Sequence, residues 1–252
     1  SPPRDRWSTV PMTDSTTPGP QAAAAAFDAA QRAQRQGRWQ DALAAYDRVL
    51  AAVPAHAPAL YGSGLILHHL GRHADAARRL QRAVQADPRA AEVWANLGLV
   101  YGALRLTDDA VAALTEATRR APFDAGIAAN LAAALLDAGR PAEAEAAARR
   151  ATVADPRHGN GWFNLALACR AQAQLPEALA AACRAAELAP AAIPPAGLKA
   201  ELEDATGRPA DARTTLEAAL RRHPDATSLQ FQLAGVHERL GEVAAAIDAL
   251  ER

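Results

Sequence analysis

Three asparagines recur at one fixed interval in this sequence of 252 residues: Asn96, Asn130 and Asn164 lie 34 residues apart. A side-chain carboxamide offers one acceptor and two donors, which match the C=O and N–H of a peptide bond. Asparagine also costs roughly 0.5–0.7 kcal/mol relative to alanine inside a helix. Something must therefore offset that cost. Either each amide bonds a group in the neighbouring part of the protein, or the three amides hold the backbone of a bound chain.

Other residue types that could do chemistry do not form a recognisable site. His68, His69 and His73 cluster at one predicted helix end, but no glutamate follows in the H-E-x-x-H arrangement of zinc enzymes. Cys169 and Cys183 do not form a Cys-x-x-Cys pair, so we expect free thiols. We find no phosphate-binding glycine loop. The sequence therefore predicts no catalytic residue, no metal and no cofactor, and we expect the chain not to be an enzyme.

Composition narrows the class of partner. The formal net charge is -1, which argues against nucleic acid or an anionic membrane as the partner. No run of about 18 apolar residues predicts a membrane span, and the N-terminus has no apolar signal core, so we expect a cytoplasmic protein. Residues 1–22 are polar and interrupted by proline and glycine, and we expect them to be disordered.

The rest of the chain repeats one unit. Prolines stand 34 residues apart at positions 54, 88, 122, 156, 190 and 224. Glycines punctuate the units at positions 37, 71, 139, 207 and 241, with Arg105 and Ala173 in the two remaining places. This register predicts seven units, at about 23–56, 57–90, 91–124, 125–158, 159–192, 193–226 and 227–252, the last of them truncated.

Each unit divides at its glycine into two apolar-periodic segments of roughly 12–14 residues, which predicts two helices joined by a tight turn. The glycine supplies the left-handed conformation that ends the first helix. Small residues share one position of the first helix, and we expect them to allow close packing of the second helix. They are Ala30, Gly64, Gly98, Ala132, Ala166, Ala200 and Ala234.

This pattern resembles the tetratricopeptide repeat family over residues 23–252. The best match is Trp94, Leu97, Gly98, Tyr101, Ala110, Leu114, Ala117 and Pro122. The resemblance implies an all-α solenoid, a right-handed superhelix of stacked antiparallel helix pairs. It also implies that the first helices line a concave groove, and that the protein is an interaction scaffold whose partner is a protein or peptide.

The asparagines resemble those in the repeat domain of O-linked N-acetylglucosamine transferases, where they bind substrate backbone. An alternative function is therefore a substrate-docking arm of a larger bacterial glycosyltransferase or other transferase. Because the last unit is incomplete at Arg252, we expect further repeats or a transferase domain beyond it. The predicted groove residues are Asn96, Asn130, Asn164, Glu92, Asn160, Phe163, Arg170 and Tyr61.

Two further expectations concern stability. Replacing the three asparagines by alanine should keep or raise helix stability. The sixth unit places Lys199 in a leucine position and Glu203 in the position held elsewhere by Tyr101 and Leu135. A buried charge is costly unless it is paired, so we expect a local irregularity between about residues 193 and 207, with the helix rotated or slipped by one residue.

Overall fold

The computed structural model describes residues 20–251. In this part of the chain all regular secondary structure is α-helix. The predicted all-α class is therefore confirmed. Helix α1 begins at Pro20, inside the segment predicted to be disordered. The remainder of that segment, residues 1–19, lies outside the described residues. The packing divides the chain into two units, with the boundary between Pro88 and Arg89.

Unit 1 comprises two helix–turn–helix pairs. Its helices are α1 (Pro20–Arg35), α2 (Trp39–Ala52), α3 (Ala57–His69) and α4 (His73–Ala86).

Unit 2 continues the same pattern through five further pairs. Its helices are α5 (Ala91–Ala103), α6 (Thr107–Arg120), α7 (Ala125–Asp137), α8 (Pro141–Ala154), α9 (Gly159–Ala171), α10 (Leu175–Leu188), α11 (Ile193–Ala205), α12 (Pro209–Leu220), α13 (Thr227–Arg239) and α14 (Val243–Glu251). The recurring prolines come shortly after the even-numbered helices because proline cannot continue a helix. Pro141 and Pro209 instead open α8 and α12, where a missing N–H costs nothing.

The turn inside each pair is left-handed, as the sequence predicted. Five glycines have positive φ, from 68° to 78°, at positions 37, 71, 139, 207 and 241. The two remaining turns keep the same backbone without glycine, since φ is 60° at Arg105 and 59° at Ala173. The turn geometry is therefore set by the stacked helices, and at these two positions a side chain is forced into a disfavoured conformation.

Small residues permit the close approach of paired helices. A Cβ added at Gly98 would lie 2.6 Å from Cγ of Leu114 and 3.2 Å from the carbonyl oxygen of Ala110. One added at Gly64 would lie 2.9 Å from the side chain of Leu80. The expectation that this position must stay small is therefore confirmed for these two pairs.

The core of unit 2 is built mainly of alanine and leucine. One continuous cluster of buried residues runs from Ala95 to Leu202. A smaller cluster, from Ala200 to Ala249, lies between α11 and α14. Aromatic rings play a minor part, since Trp94, Tyr101 and Trp162 pack against the larger cluster without being fully buried.

The expected one-residue slip in the sixth pair is wrong. Helix α11 starts 34 residues after α9 and has the same length of 13 residues. Glu203 stays in the apolar position and is buried, because Nζ of Lys199 lies 3.4 Å from one of its carboxylate oxygens and the hydroxyl of Thr215 donates to the other at 2.8 Å. Pairing of the charge thus replaces displacement of the helix.

Candidate functional site

The odd-numbered helices of unit 2 form one layer. Helix α5 contacts α7, α7 contacts α9, and α11 contacts α13, while the even-numbered helices pack between their odd-numbered neighbours. We call the outer surface of α5, α7, α9, α11 and α13 the odd-helix face. The three regularly spaced asparagines lie on three of these helices, one each on α5, α7 and α9.

Asn164 is part of the packing between repeats. Its side chain is only 8% exposed, and its amide nitrogen donates to the carbonyl oxygen of Ala129 on α7 at 2.9 Å. This contact is the structural alternative left open by the sequence. Because replacing Asn164 would break a buried hydrogen bond between two repeats, we expect alanine to lower stability at this position, which revises the expectation from the sequence.

Asn96 and Asn130 are placed differently. The amide of Asn96 donates to the carbonyl oxygen of Glu92 at 2.8 Å, within its own helix. Asn130 is half-buried and lines a cleft of about 200 Å³ between α5, α6 and α7. Within residues 20–251 no hydrogen bond of the Asn130 side chain is found. The three asparagines therefore share a register but not an environment.

A second cleft opens between α9, α11 and α13. It measures about 350 Å³, and Phe163 and Leu167 contribute apolar surface to it. At its edge Nη1 of Arg170 donates to both carboxylate oxygens of Glu201 at 2.8 Å. We call this space the Gln232 cleft, because the side chain of Gln232 lines it from α13.

The side-chain oxygen of Gln232 is the unusual atom of this cleft. It is buried and has no hydrogen-bond partner within the described residues. Gly197 faces it, and a Cβ at that position would lie 3.2 Å from the same oxygen. Gln232 stands in the register of the asparagines, two repeats after Asn164. A buried acceptor without a donor costs about 1–3 kcal/mol, which makes this atom a candidate ligand contact.

The structure brings together only part of the predicted site. Phe163 and Arg170 line the Gln232 cleft. Asn130 lines the separate cleft at α7, while Glu92 and Asn160 are exposed near the starts of α5 and α9. Gln232, Gly197 and Glu201 also line the Gln232 cleft but were not among the predicted groove residues. Gln232 falls on the 34-residue register of the asparagines, but its unpaired oxygen depends on packing between helices that the register does not reveal.

Tyr61 belongs to another cleft, inside unit 1. This cleft measures about 530 Å³ and lies between α1, α2 and α3. It gathers the four Phe, Trp and Tyr residues of the described part of unit 1: Phe27, Trp39, Tyr46 and Tyr61. We call it the aromatic cleft. Outside the wall, His56 packs on Phe27 with ring centroids 4.9 Å apart, which fixes the orientation of the ring.

The floor of the aromatic cleft depends on two linked residues. Tyr46 reaches it from α2, with only 2% of its surface exposed, and its hydroxyl donates to Oε1 of Gln34 at 2.7 Å. Burial raises the pKa of Tyr46 despite the opposing effect of nearby Arg35. The phenol therefore stays protonated and remains a hydrogen-bond donor. A Cβ at Gly62 would lie only 2.6 Å from the phenol oxygen. The tyrosine therefore requires a glycine at position 62.

The histidines and cysteines do not form a ligand set. The Nδ1 atoms of His68 and His73 lie 3.0 Å apart, and burial together with the neighbouring imidazoles lowers the pKa of His68. Cys169 is buried and Cys183 half-buried, and both are free thiols whose pKa is raised by burial. Within residues 20–251 no group of three or more His, Cys, Asp or Glu side chains is arranged to hold a metal ion. None of the described helices combines the length and the apolar character that crossing a bilayer demands.

Comparison with protein families agrees with the architecture. The sequence profile of the tetratricopeptide repeat matches residues 27–91, 70–125, 95–157, 129–193 and 198–252. These matches cover most of the chain, and the helix pairs have the order and spacing of that repeat. The chain belongs to the tetratricopeptide repeat family.

Several solved structures share this fold. A tetratricopeptide repeat protein from Parabacteroides merdae ATCC 43184 superposes with a TM-score of 0.73 at 13% identity, covering 92% of this chain and 91% of that one. MamA gives 0.63 at 22% identity, covering 67% and 92%. YrrB, described as a protein with an unusual peptide-binding site, gives 0.60 at 17% identity, covering 73% and 95%. Comparison with curated protein sequences gives no match.

Proposed function

We propose that unit 2 is a protein-interaction scaffold that binds an extended peptide along the odd-helix face. The observation that supports this most is the buried side-chain oxygen of Gln232, which has no donor within the described residues. An extended peptide presents its backbone N–H groups to either side, so one of them can supply that donor once the Gln232 side chain, which lines the cleft, turns its oxygen toward the peptide. The gain is large for a single contact because the cost of burying the acceptor is already present in the free protein.

The surroundings of Gln232 suit a peptide side chain as well as its backbone. Phe163 and Leu167 supply apolar contact, and the absent side chain of Gly197 lets Gln232 and Leu229 pack closely against α11. The ion pair between Arg170 and Glu201 stands at the edge, where each charge can exchange its partner for one on the peptide. The cleft thus combines one apolar anchor with a small number of polar contacts, as peptide and ligand sites commonly do.

The geometry of the repeats sets the length of the peptide. Helix pairs stack at roughly 10 Å, which corresponds to about three residues of an extended chain. Asn130, whose amide is unpaired within the described residues, stands three repeats before Gln232. A segment of about nine or ten residues would therefore reach both groups. Asn164 lies between them and positions α9 against α7 through its bond to Ala129.

Related proteins support the class of partner. YrrB is described as having a peptide-binding site, and it shares this fold over 73% of this chain. Such a scaffold requires no catalytic group. The resemblance of the three asparagines to those of O-linked N-acetylglucosamine transferases is weaker than their spacing suggested, because the Asn164 amide is committed to Ala129.

A random peptide library tests the proposal. Peptides of about twelve residues, long enough to span the two contacts, would be displayed on phage and selected against the full chain. We expect the selected peptides to bind at least about tenfold more weakly to Phe163→Ala and Gln232→Leu. The control is Val153→Ser, because Val153 is 81% exposed and lies on the even-numbered helix α8. Peptides that bind all three variants like the parent protein would refute the proposal.

A further inference from the structure

The aromatic cleft of unit 1 is independent of the peptide site proposed for unit 2. It lies entirely within α1, α2 and α3 and shares no residue with the odd-helix face. Its walls are Phe27, Trp39 and Tyr61, all half-buried, and Tyr46 closes its floor. Two of the rings are held from behind, since His69 packs on Trp39 with ring centroids 4.8 Å apart and His56 packs on Phe27 at 4.9 Å. The walls are therefore already in place before any ligand arrives.

The hydrogen-bonding groups of this cleft are unevenly divided between donors and acceptors. The carboxamides of Gln31 and Gln34 both line the cleft, and because Oε1 of Gln34 already accepts from the hydroxyl of Tyr46, the amide nitrogen of Gln34 is left to donate to a ligand. Arg35 adds a guanidinium at the edge, which can only donate. No aspartate or glutamate is among the residues that line the cleft. The site therefore favours a ligand that presents hydrogen-bond acceptors and carries few donors of its own.

A proline-rich segment has this chemistry. Proline has no backbone N–H, and in a polyproline II helix the carbonyl groups make no internal hydrogen bonds. The flat faces of proline rings pack on aromatic side chains, which is the common way in which such segments are recognised. A methylated or free lysine would also pack on aromatic rings, but the positive charge of Arg35 and the lack of a lining carboxylate oppose it.

We propose that the aromatic cleft binds a neutral or acidic proline-rich segment in the polyproline II conformation. Trp39 and Tyr61 pack against proline rings, and the donors of Gln34 and Arg35 bond the carbonyl groups between them. Tyr46 acts as a positioning residue, because it turns the Gln34 amide so that its nitrogen faces the ligand. Gly62 keeps the floor open for the tyrosine.

Fluorescently labelled decaproline is the probe, titrated against the full chain by fluorescence anisotropy. We expect saturable binding that Trp39→Ala and Tyr61→Ala weaken by about tenfold each. Phe231→Ala is the matched control, because Phe231 occupies in α13 the helical position of Tyr61 in α3 and is 66% exposed. It should leave decaproline binding unchanged. Equal binding to the parent protein and to both cleft variants would overturn the proposal.

Charge and backbone chemistry give two further arms. Decaproline flanked by aspartates should bind more tightly than decaproline flanked by lysines, with the difference shrinking at high salt and in Arg35→Gln. A peptide of equal length made of alanine and glutamine should bind at least about tenfold more weakly than decaproline. A preference for the lysine-flanked peptide, or for the alanine–glutamine peptide, would contradict the assignment.

The same variants keep the two sites apart. Phe163→Ala, which should impair the library peptides of unit 2, should not change decaproline binding, and Trp39→Ala should not change binding of the library peptides. Circular dichroism shows whether each variant retains its helices. Because Trp39 and Tyr61 are only half-buried, we expect both variants to fold. Folded Trp39→Ala and Tyr61→Ala variants that bind decaproline normally would refute the proposal for the aromatic cleft and leave the proposal for unit 2 unaffected.

Discussion

At the scale of single residues, the two turns without glycine store avoidable strain. The left-handed conformation costs a residue with a side chain roughly 1–2 kcal/mol, whereas glycine adopts it freely. Arg105 and Ala173 have φ of 60° and 59°. Glycine at either position also increases the entropy of the unfolded chain, which removes part of the gain.

We therefore expect Ala173→Gly to raise the free energy of unfolding by about 0.5–1 kcal/mol, measured by urea denaturation. The matched control is Gly139→Ala, in the turn of the preceding pair. No atom lies within 4 Å of a Cβ added there, so the substitution adds backbone strain without a steric clash. It should lower stability by a similar amount. A destabilising Ala173→Gly would show that the turn is not strained.

Two amides in one register should respond in opposite ways to removal. The oxygen of Gln232 is buried without a partner, whereas Asn164 bonds Ala129 across the repeat boundary. We expect Gln232→Leu to raise the free energy of unfolding by about 1 kcal/mol and Asn164→Leu to lower it by about as much. Thermal and urea denaturation measure both. If Gln232→Leu proves destabilising, the buried oxygen of Gln232 does not destabilise the free protein.

At the scale of elements, helix α11 shows how a charge is accommodated in an apolar position. Lys199→Met removes the cation that accompanies the buried Glu203 carboxylate, and we expect a loss of about 1 kcal/mol or more in unfolding free energy. Glu203→Leu restores an apolar residue and should be neutral or stabilising. Urea denaturation of the two variants compares them directly. Equal losses would show that the pair itself stabilises the helix.

The turn between α3 and α4 should make stability depend on pH. Burial and the imidazoles of His73 and His69 lower the pKa of His68 below 6.5 in the folded protein. The unfolded chain then binds more protons than the folded one just below that pH, so stability falls on acidification through the window. His68→Gln should reduce the difference between urea midpoints at about pH 7.5 and about pH 5.5. An unchanged difference would assign the effect to other groups.

The sequence predicted the elements more completely than the site, for physical reasons. Glycine and proline act locally, so the 34-residue register was enough to predict paired helices with left-handed turns, even where Arg105 and Ala173 replace glycine. The partner of Asn164 lies 35 residues earlier, at a carbonyl that any residue type would present. The aromatic cleft was not predicted because Tyr46 enters it from α2, the second helix of its pair, whereas the predicted groove residues all lie on first helices.

At the scale of the whole molecule, stability should be graded along unit 2. In stacked repeats each pair contacts only its neighbours, so stability is a sum of local terms. The larger core cluster centres on α7 to α10, while the cluster of α11 to α14 is smaller. We expect amide hydrogen exchange to be slowest in α7, α8 and α9 and fastest in α13 and α14. Uniform exchange rates would indicate a single cooperative unit.

The tyrosine at the floor of the aromatic cleft has an evolutionary consequence. Elsewhere in the chain the corresponding position on the second helix holds leucine or alanine, as at Leu80 and Ala148, whereas the hydroxyl of Tyr46 reaches Gln34 on α1. Because a side chain at position 62 would collide with the phenol, position 62 must stay glycine for as long as position 46 is tyrosine. In descendants of a common ancestor, a residue larger than glycine at position 62 should therefore appear only where position 46 has already lost its tyrosine.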